Sequence, residues 1–238
     1  MLDHLDITNI LFLDIETVPQ VYQFEDLDDT KQKLWDAKTK YKQKDDLTAE
    51  DIYEEAGILA EFGKIVCISV GFIKQEDSHN QLRLKSFYGH DERQILQKFN
   101  QLLNNHYNLE QHRLCAHNGK EFDFPYLARR ILINRLALPD ILDIAGKKPW
   151  EINHVDTMQL WKFGDYKHYT SLSLLTNVFD IPSPKDDITG ADVSKVYWED
   201  EDVDRIATYC EKDVEATVQL FCRYKGIPLI EEEQVISV

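Results

Sequence analysis

At 238 residues the chain is long enough for one large domain, or one domain with an insertion, around a sizeable core. With 43% apolar and 11% aromatic residues it is no disordered chain despite 29% charged ones, and four cysteines (Cys67, Cys115, Cys210, Cys222) without a C-x-x-C pair argue against a zinc site or a disulfide framework and for the reduced cytoplasm. The net charge of −16 speaks against the usual basic nucleic-acid surface, yet residues 63–180 hold 13 acidic and 15 basic side chains, against 16 and 6 in residues 1–62 and 14 and 6 in residues 181–238, so only the middle is electropositive.

The opening MLDHLDITNI carries Asp3 and Asp6 where a signal peptide needs basic residues, and no apolar stretch approaches the roughly 20 residues of a membrane helix. NILFLDI (9–15) is a short apolar strand, ended by Thr17-Val18-Pro19. From Gln20 to Phe62 the composition predicts two inserted helices, TKQKLWDAKTKYKQKDD and the amphipathic LTAEDIYEEAGILAEF, their outer faces solvated. Thr48 would cap the second, with Asp51 three residues on, where a capping box more usually carries Glu or Gln. KIVCISVGFI (64–73) and QLRLKSFY (81–88), joined by the polar KQEDSHN, read as a hairpin. DERQILQKFNQLLNNHY (91–107) has the helical period and Asp91 at its start. RLCAHN (113–118) is a short buried strand, FDFPYLARRILINR (122–135) a helix, and INHVDTMQLW (152–161) a strand leading into a turn. TSLSLLTNVFDI (170–181) is helical up to Pro182, and residues 201–226 form a long helix closed by Gly226. Strands separated by helices imply parallel pairing, in a single domain over 1–238.

Three segments carry chemistry. Residues i and i+2 of a strand share a face, so Asp14 and Glu16 point the same way. Alone the pattern is weak in a chain with 43 acidic residues, and Asp213-Val214-Glu215 repeats it. HNGKEFDFPYL (117–127) sets Asp123 among Phe122, Phe124 and Pro125, where a carboxylate needs a partner, although Asp123 could also simply cap the following helix. In YCEKD (209–213), Tyr209 and Asp213 share a helix face, and the apolar company of Ile206, Ala207, Val214 and Val218 turns that flank towards the body of the protein.

Together, Asp14-Ile15-Glu16-Thr17, Asn118 through Phe122-Asp123, and Tyr209 to Asp213 resemble the three motifs of the DEDD superfamily of 3'-5' exonucleases, in its tyrosine subgroup. The chain is most similar to stand-alone relatives of the proofreading domain of B-family DNA polymerases, over residues 9–226 with order and spacing preserved. The resemblance implies an α/β, ribonuclease H-like fold, a mixed central sheet flanked by helices, with a helical insertion at 20–62 after the first strand. It implies an exonuclease working from the 3' end of single-stranded nucleic acid, DNA in preference to RNA. In that pattern Asp14, Glu16, Asp123 and Asp213 would hold two Mg2+ or Mn2+, Tyr209 would position the attacking water and Thr17 would lie near the terminal 3' hydroxyl. Asn118, Lys120 and Phe122 in the middle motif would meet the substrate.

Phosphodiester hydrolysis requires an activated water and charge stabilisation on the attacking and leaving oxygens, work suited to two hard cations on carboxylates. Two such ions would also return about four positive charges to an acidic protein. Four converging acids without cations would repel one another, making the empty site a weak point in stability. A strand could track Lys120, Arg129, Arg130, Lys147, Lys148, Lys162 and Lys167, interleaved with Trp150, Trp161, Tyr166 and Tyr169, with Trp161 read as core and Arg130 as surface instead of contacts. His117 and His154 flank strands and read as structural, while Asp156 reads as a cap or a further acid near the site. Competing readings are an oligonucleotide hydrolase, a structure-specific endonuclease, and a non-catalytic nucleic-acid-binding protein, the last expected to have lost a ligand.

Overall fold

A computed structural model describes residues 1–43, 47–76, 80–165, 167, 169–182 and 188–238. Among these, strands β1 (Ile10–Pro19), β2 (Gly63–Gln75), β3 (Asn80–Tyr88), β4 (Arg113–Ala116), β5 (Val155–Asp156) and β6 (Val235–Ser237) form one sheet in the order β5-β4-β1-β2-β3-β6. β1, β2 and β3 pair antiparallel, as a strand followed by a hairpin must, and residues 77–79 of the expected hairpin connection lie outside the described residues. β4 joins β1, β5 joins β4 and β6 joins β3 in parallel, each after intervening helices. The helices are α1 (Asp29–Thr39), α2 (Glu92–His106), α3 (Asp123–Ile133), α4 (Thr157–Lys162), α5 (Leu172–Val178), α6 (Val193–Trp198) and α7 (Val203–Lys225).

The alternation of β1 divides the core in two. Leu11, Leu13 and Ile15 pack with Ile95, Leu96 and Phe99 of α2 and with Phe124, Leu127 and Ile131 of α3. Ile10 and Phe12 face α7, where Phe12 meets Phe221 edge to face at 5.4 Å and Val214 and Val218 close the contact. Gly71 on β2 lets α7 come this close, because a Cβ there would lie 2.8 Å from Val214 Cγ1. Asp14 and Glu16 continue the row of Ile10 and Phe12, so the same alternation aims both carboxylates at α7.

Several expectations need correction. Thr17-Val18-Pro19 does not end the first strand, for these residues pair with Ile65, Lys64 and Gly63. Proline is tolerated as the last residue of a strand, where its missing N–H costs little. Of the two expected helices in 20–62, the first is α1, while the second is a 3-10 run over Tyr53–Ile58. Thr48 and Asp51 do make the reciprocal cap, Asp51 accepting from the Thr48 amide at 2.8 Å and Thr48 accepting from the Asp51 amide at 3.3 Å, but no α-helix follows. Gly57 is a poor helix residue, and the carbonyls a helix would use are taken elsewhere: Gly57 O accepts from Tyr126 Oη at 2.7 Å and Ala60 O from Arg130 Nη1 at 2.7 Å. Buried Tyr53 and Ala56 instead close a small cluster around Trp35. INHVDTMQLW holds only two strand residues, since Asp156 caps α4 by accepting from Met158 and Gln159. No described helix is long and apolar enough to cross a membrane.

Candidate active site

The site forms where β1 outruns β4. The two strands pair as far as Phe12 and Cys115, and beyond that point the Ile15 N–H turns to the carboxylate of Asp123, which also accepts from its own amide. Asp123 opens α3 as its first residue and not as its cap, a place where the helix N-terminus favours negative charge. On the other edge, the β1–β2 register shifts between Glu16 and Thr17, leaving Val66 of β2 unmatched opposite them. Such a bulge re-aims side chains, and it falls directly between the second acid of the first motif and Thr17.

Carboxylates from three distant segments act on one another here. One oxygen each of Asp14 and Glu16 and the Sγ of Cys210 lie within 4.8 Å of one another. Burial pushes Asp14 well above the usual carboxylate range, and the charges of Glu16, Asp123 and Asp213 add to the effect. Glu16, 8% exposed, is raised by burial and by Asp213, against a hydrogen bond with Asp14. Asp123, 3% exposed, is pushed up to about 7 by burial, with Asp156 and Asp213 adding to it against its two amide hydrogen bonds. Among the described residues, the largest effects on Asp14 and Glu16 besides burial come from acids and thiols. From the turn of α7 before Asp213, Tyr209 hydrogen-bonds Asp213, and burial together with the charges of Asp213, Glu16 and Asp14 holds its phenol protonated far above its ordinary value.

The middle loop is held by a residue whose weight was not apparent from sequence. Buried Asp156 accepts from the amides of Asn118 (3.1 Å) and Lys120 (3.0 Å) as well as from α4, so one carboxylate fixes both the loop and the next helix. It is the expected cap and also an acid whose charge reaches Asp123. Gly119 fits between those two amides only because it lacks a Cβ, which would lie 2.5 Å from Ala116 Cβ. Asn118 takes the left-handed conformation at φ 68°, and its side-chain Oδ1 is buried with no hydrogen-bond partner among the described residues. Lys120 is half-buried, with burial lowering its pKa against the attraction of Asp156. Phe122 packs on Tyr126 at 5.3 Å between ring centroids, and Thr17 hydrogen-bonds the same Tyr126 hydroxyl.

Cys210 is the residue the sequence reading left out. Its thiol donates to Asp14 Oδ2 at 3.3 Å and is hydrogen-bonded to Cys67, the cross-strand partner of Glu16. The one available signal was its place three residues before Asp213, on the same helix face. The histidines are structural as expected: His117 joins Thr157 Oγ1 and Thr170 O at 2.9 Å each, and His154 accepts from the Leu114 amide, faces Ile141 O and is pushed down to about 4 by burial. Among the expected strand contacts, Trp161 packs in the core against Phe179 and Tyr224. Arg130, expected at the surface, is 4% exposed and paired with Glu92 at 2.5 Å. Lys162 sits 3.8 Å from Glu121 with most of its side chain covered. Arg129, Lys147, Lys148, Trp150, Lys167 and Tyr169 are exposed, and Tyr166 lies outside the described residues.

A mixed six-stranded sheet with flanking helices, carrying a carboxylate cluster where its central strand runs free, is consistent with a ribonuclease H-like exonuclease fold. The chain belongs to the family described as predicted 3'-5' exonucleases related to the exonuclease domain of PolB, which matches residues 58–232. That match takes in the loop from Asn118 to Asp123 and the helix bearing Tyr209 and Asp213. Asp14 and Glu16 lie before it and join the site through the geometry of β1.

Proposed function

We propose that this chain is a metal-dependent 3'-5' exonuclease of the tyrosine subgroup, forming one domain over 1–238 and removing nucleotides from the 3' end of single-stranded nucleic acid, DNA in preference to RNA. The observation that carries the reading is the convergence of Asp14 and Glu16 from β1, Asp123 from α3 and Asp213 from α7, where burial and neighbouring acids, Asp213 among them, raise the pKa values of the first three. Hard carboxylate oxygens suit Mg2+ or Mn2+, and the crowding of buried acids around Asp14 and Glu16 fits a pair of such cations. Bound there, they would supply the positive charge that makes a water acidic and stabilises the departing 3' oxygen.

The chain's own residues do the rest. Asp14, Glu16, Asp123 and Asp213 hold the cations. Tyr209, kept protonated and oriented by Asp213, offers a hydroxyl that positions the attacking water without giving up its proton. Thr17, steadied by Tyr126, sits beside the terminal 3' hydroxyl, and Asn118 in the middle loop borders the substrate. Lys120 and Phe122 flank the last nucleotides, the first as a charge and the second as an apolar face. All four cysteines are free thiols, in keeping with a cytoplasmic setting.

The test is degradation of 5'-labelled DNA and RNA strands of matched sequence with Mg2+ or Mn2+. The parent should shorten strands stepwise from the 3' end, and Asp14→Ala and Asp213→Ala should each lose on the order of a thousandfold or more in rate. Undiminished shortening in chelator, or internal cuts in place of a ladder, would refute the proposal.

A further inference from the structure

The residue after α4 is a phenylalanine in a conformation that suits glycine. Phe163 caps the helix at φ 43° and ψ 34°, left-handed, and Gly164 follows at φ 91°. Helices often end this way, but on glycine or asparagine, because a bulky side chain meets its own backbone there. Packing does not offset the strain, since Phe163 is 77% exposed. Strain held at an exposed aromatic points to a role outside the fold itself.

Its position says what that role is. Lys162, the residue before it, lies 3.8 Å from Glu121, two residues ahead of Asp123. A second exposed aromatic, Tyr169 at 69%, precedes Thr170, whose carbonyl is 2.9 Å from His117 Nε2, the residue ahead of Asn118. The chain on either side of the two exposed rings is thus tied to the loop that carries Asn118 and Lys120. Unpaired bases offer the flat face that matches such rings. Lys120, in the loop itself, supplies the charge for a phosphate, in the one electropositive third of the chain.

We infer that Phe163, with Tyr169, forms a stacking platform for unpaired bases of a nucleic-acid strand entering the loop from Asn118 to Asp123. The inference rests on the exonuclease reading for the class of ligand. Duplex bases keep their faces covered, so the platform favours single strands without reading sequence.

The experiment measures fluorescence anisotropy of labelled oligo-dT with hydrolysis-resistant 3' phosphorothioate linkages in Mg2+, alongside thermal melting and shortening of an unprotected strand. Phe163→Gly should melt at the parent temperature or above, since glycine relieves the backbone, yet bind the strand on the order of tenfold more weakly. Phe163→Tyr should bind like the parent. If Phe163→Gly binds like the parent, or melts lower because the ring serves packing, the platform is refuted. A parent that binds strands but never shortens them refutes hydrolysis and leaves the platform standing. A parent that shortens strands with a Phe163→Gly variant of equal affinity does the reverse, and a parent that binds no single strand refutes both.

Discussion

Two buried clusters of charge sit on either side of β1, and they are built on opposite plans. On the α2–α3 side, Glu92 receives Arg130 Nε at 2.8 Å and Nη2 at 2.5 Å, the Ile65 amide at 2.8 Å and Asn134 Nδ2 at 2.8 Å, while Arg130 Nη1 bonds Ala60 O. Every charge there is matched within the chain. On the α7 side, Asp14, Glu16 and Asp123 are gathered with Asp213, and burial and neighbouring acids push all three up, against two amide hydrogen bonds to Asp123. A self-sufficient cluster holds parts together; one that accumulates a single sign of charge must hold protons or take up cations. The difference separates structural burial of charge from functional burial more sharply than burial itself, which both share.

Breaking the matched cluster should have the largest effect on stability. Arg130→Met strands the Glu92 carboxylate and frees Ala60 O, at a cost of about 3–5 kcal/mol in urea unfolding. Asp123→Asn in the other cluster should act with the opposite sign in chelator, relieving repulsion and raising stability on the order of 1–3 kcal/mol. The same contrast predicts a pH dependence. The unfolded chain releases the Asp123 proton near 3.8, whereas the native state keeps it up to about 7. Between those values the native state therefore holds the extra proton, and the stability of the chelated protein falls as pH rises through that window. Urea midpoints measured from pH 4 to 7 should show this fall in the parent, a smaller one in Asp123→Asn, and a smaller one again when Mn2+ is added. A midpoint that climbs over the same range would contradict the account. The last variant concerns Asp156, which joins the loop to α4: Asp156→Ala removes four amide hydrogen bonds and should cost about 2 kcal/mol, with shortening activity falling further than folded protein does.

How much of this was legible from sequence follows the range of the forces involved. Period-two alternation placed Asp14 and Glu16 on one face, and local rules gave the cap of Asp91 on Gln94 and the closing Gly226 of α7. Each depends on a few neighbouring residues. The second helix of the insertion failed because Gly57 O and Ala60 O are claimed by Tyr126 and Arg130, residues about 70 positions away that no local pattern reveals. The bulge opposite Glu16, the double duty of Asp156 and the contact of Cys210 with Asp14 also depend on partners from other elements. The candidate acids could be picked out locally; the framework around them could not.

The central claim, that the α7-side cluster is a site for divalent cations, is tested most directly by calorimetric titration of Mn2+ into the parent, Asp14→Asn and Asp213→Asn proteins. The account predicts two ions per parent chain, released protons as the raised carboxyl groups ionise, and loss of at least one ion in each variant. Equal Mn2+ uptake by all three proteins, or none by the parent at millimolar metal, would contradict it.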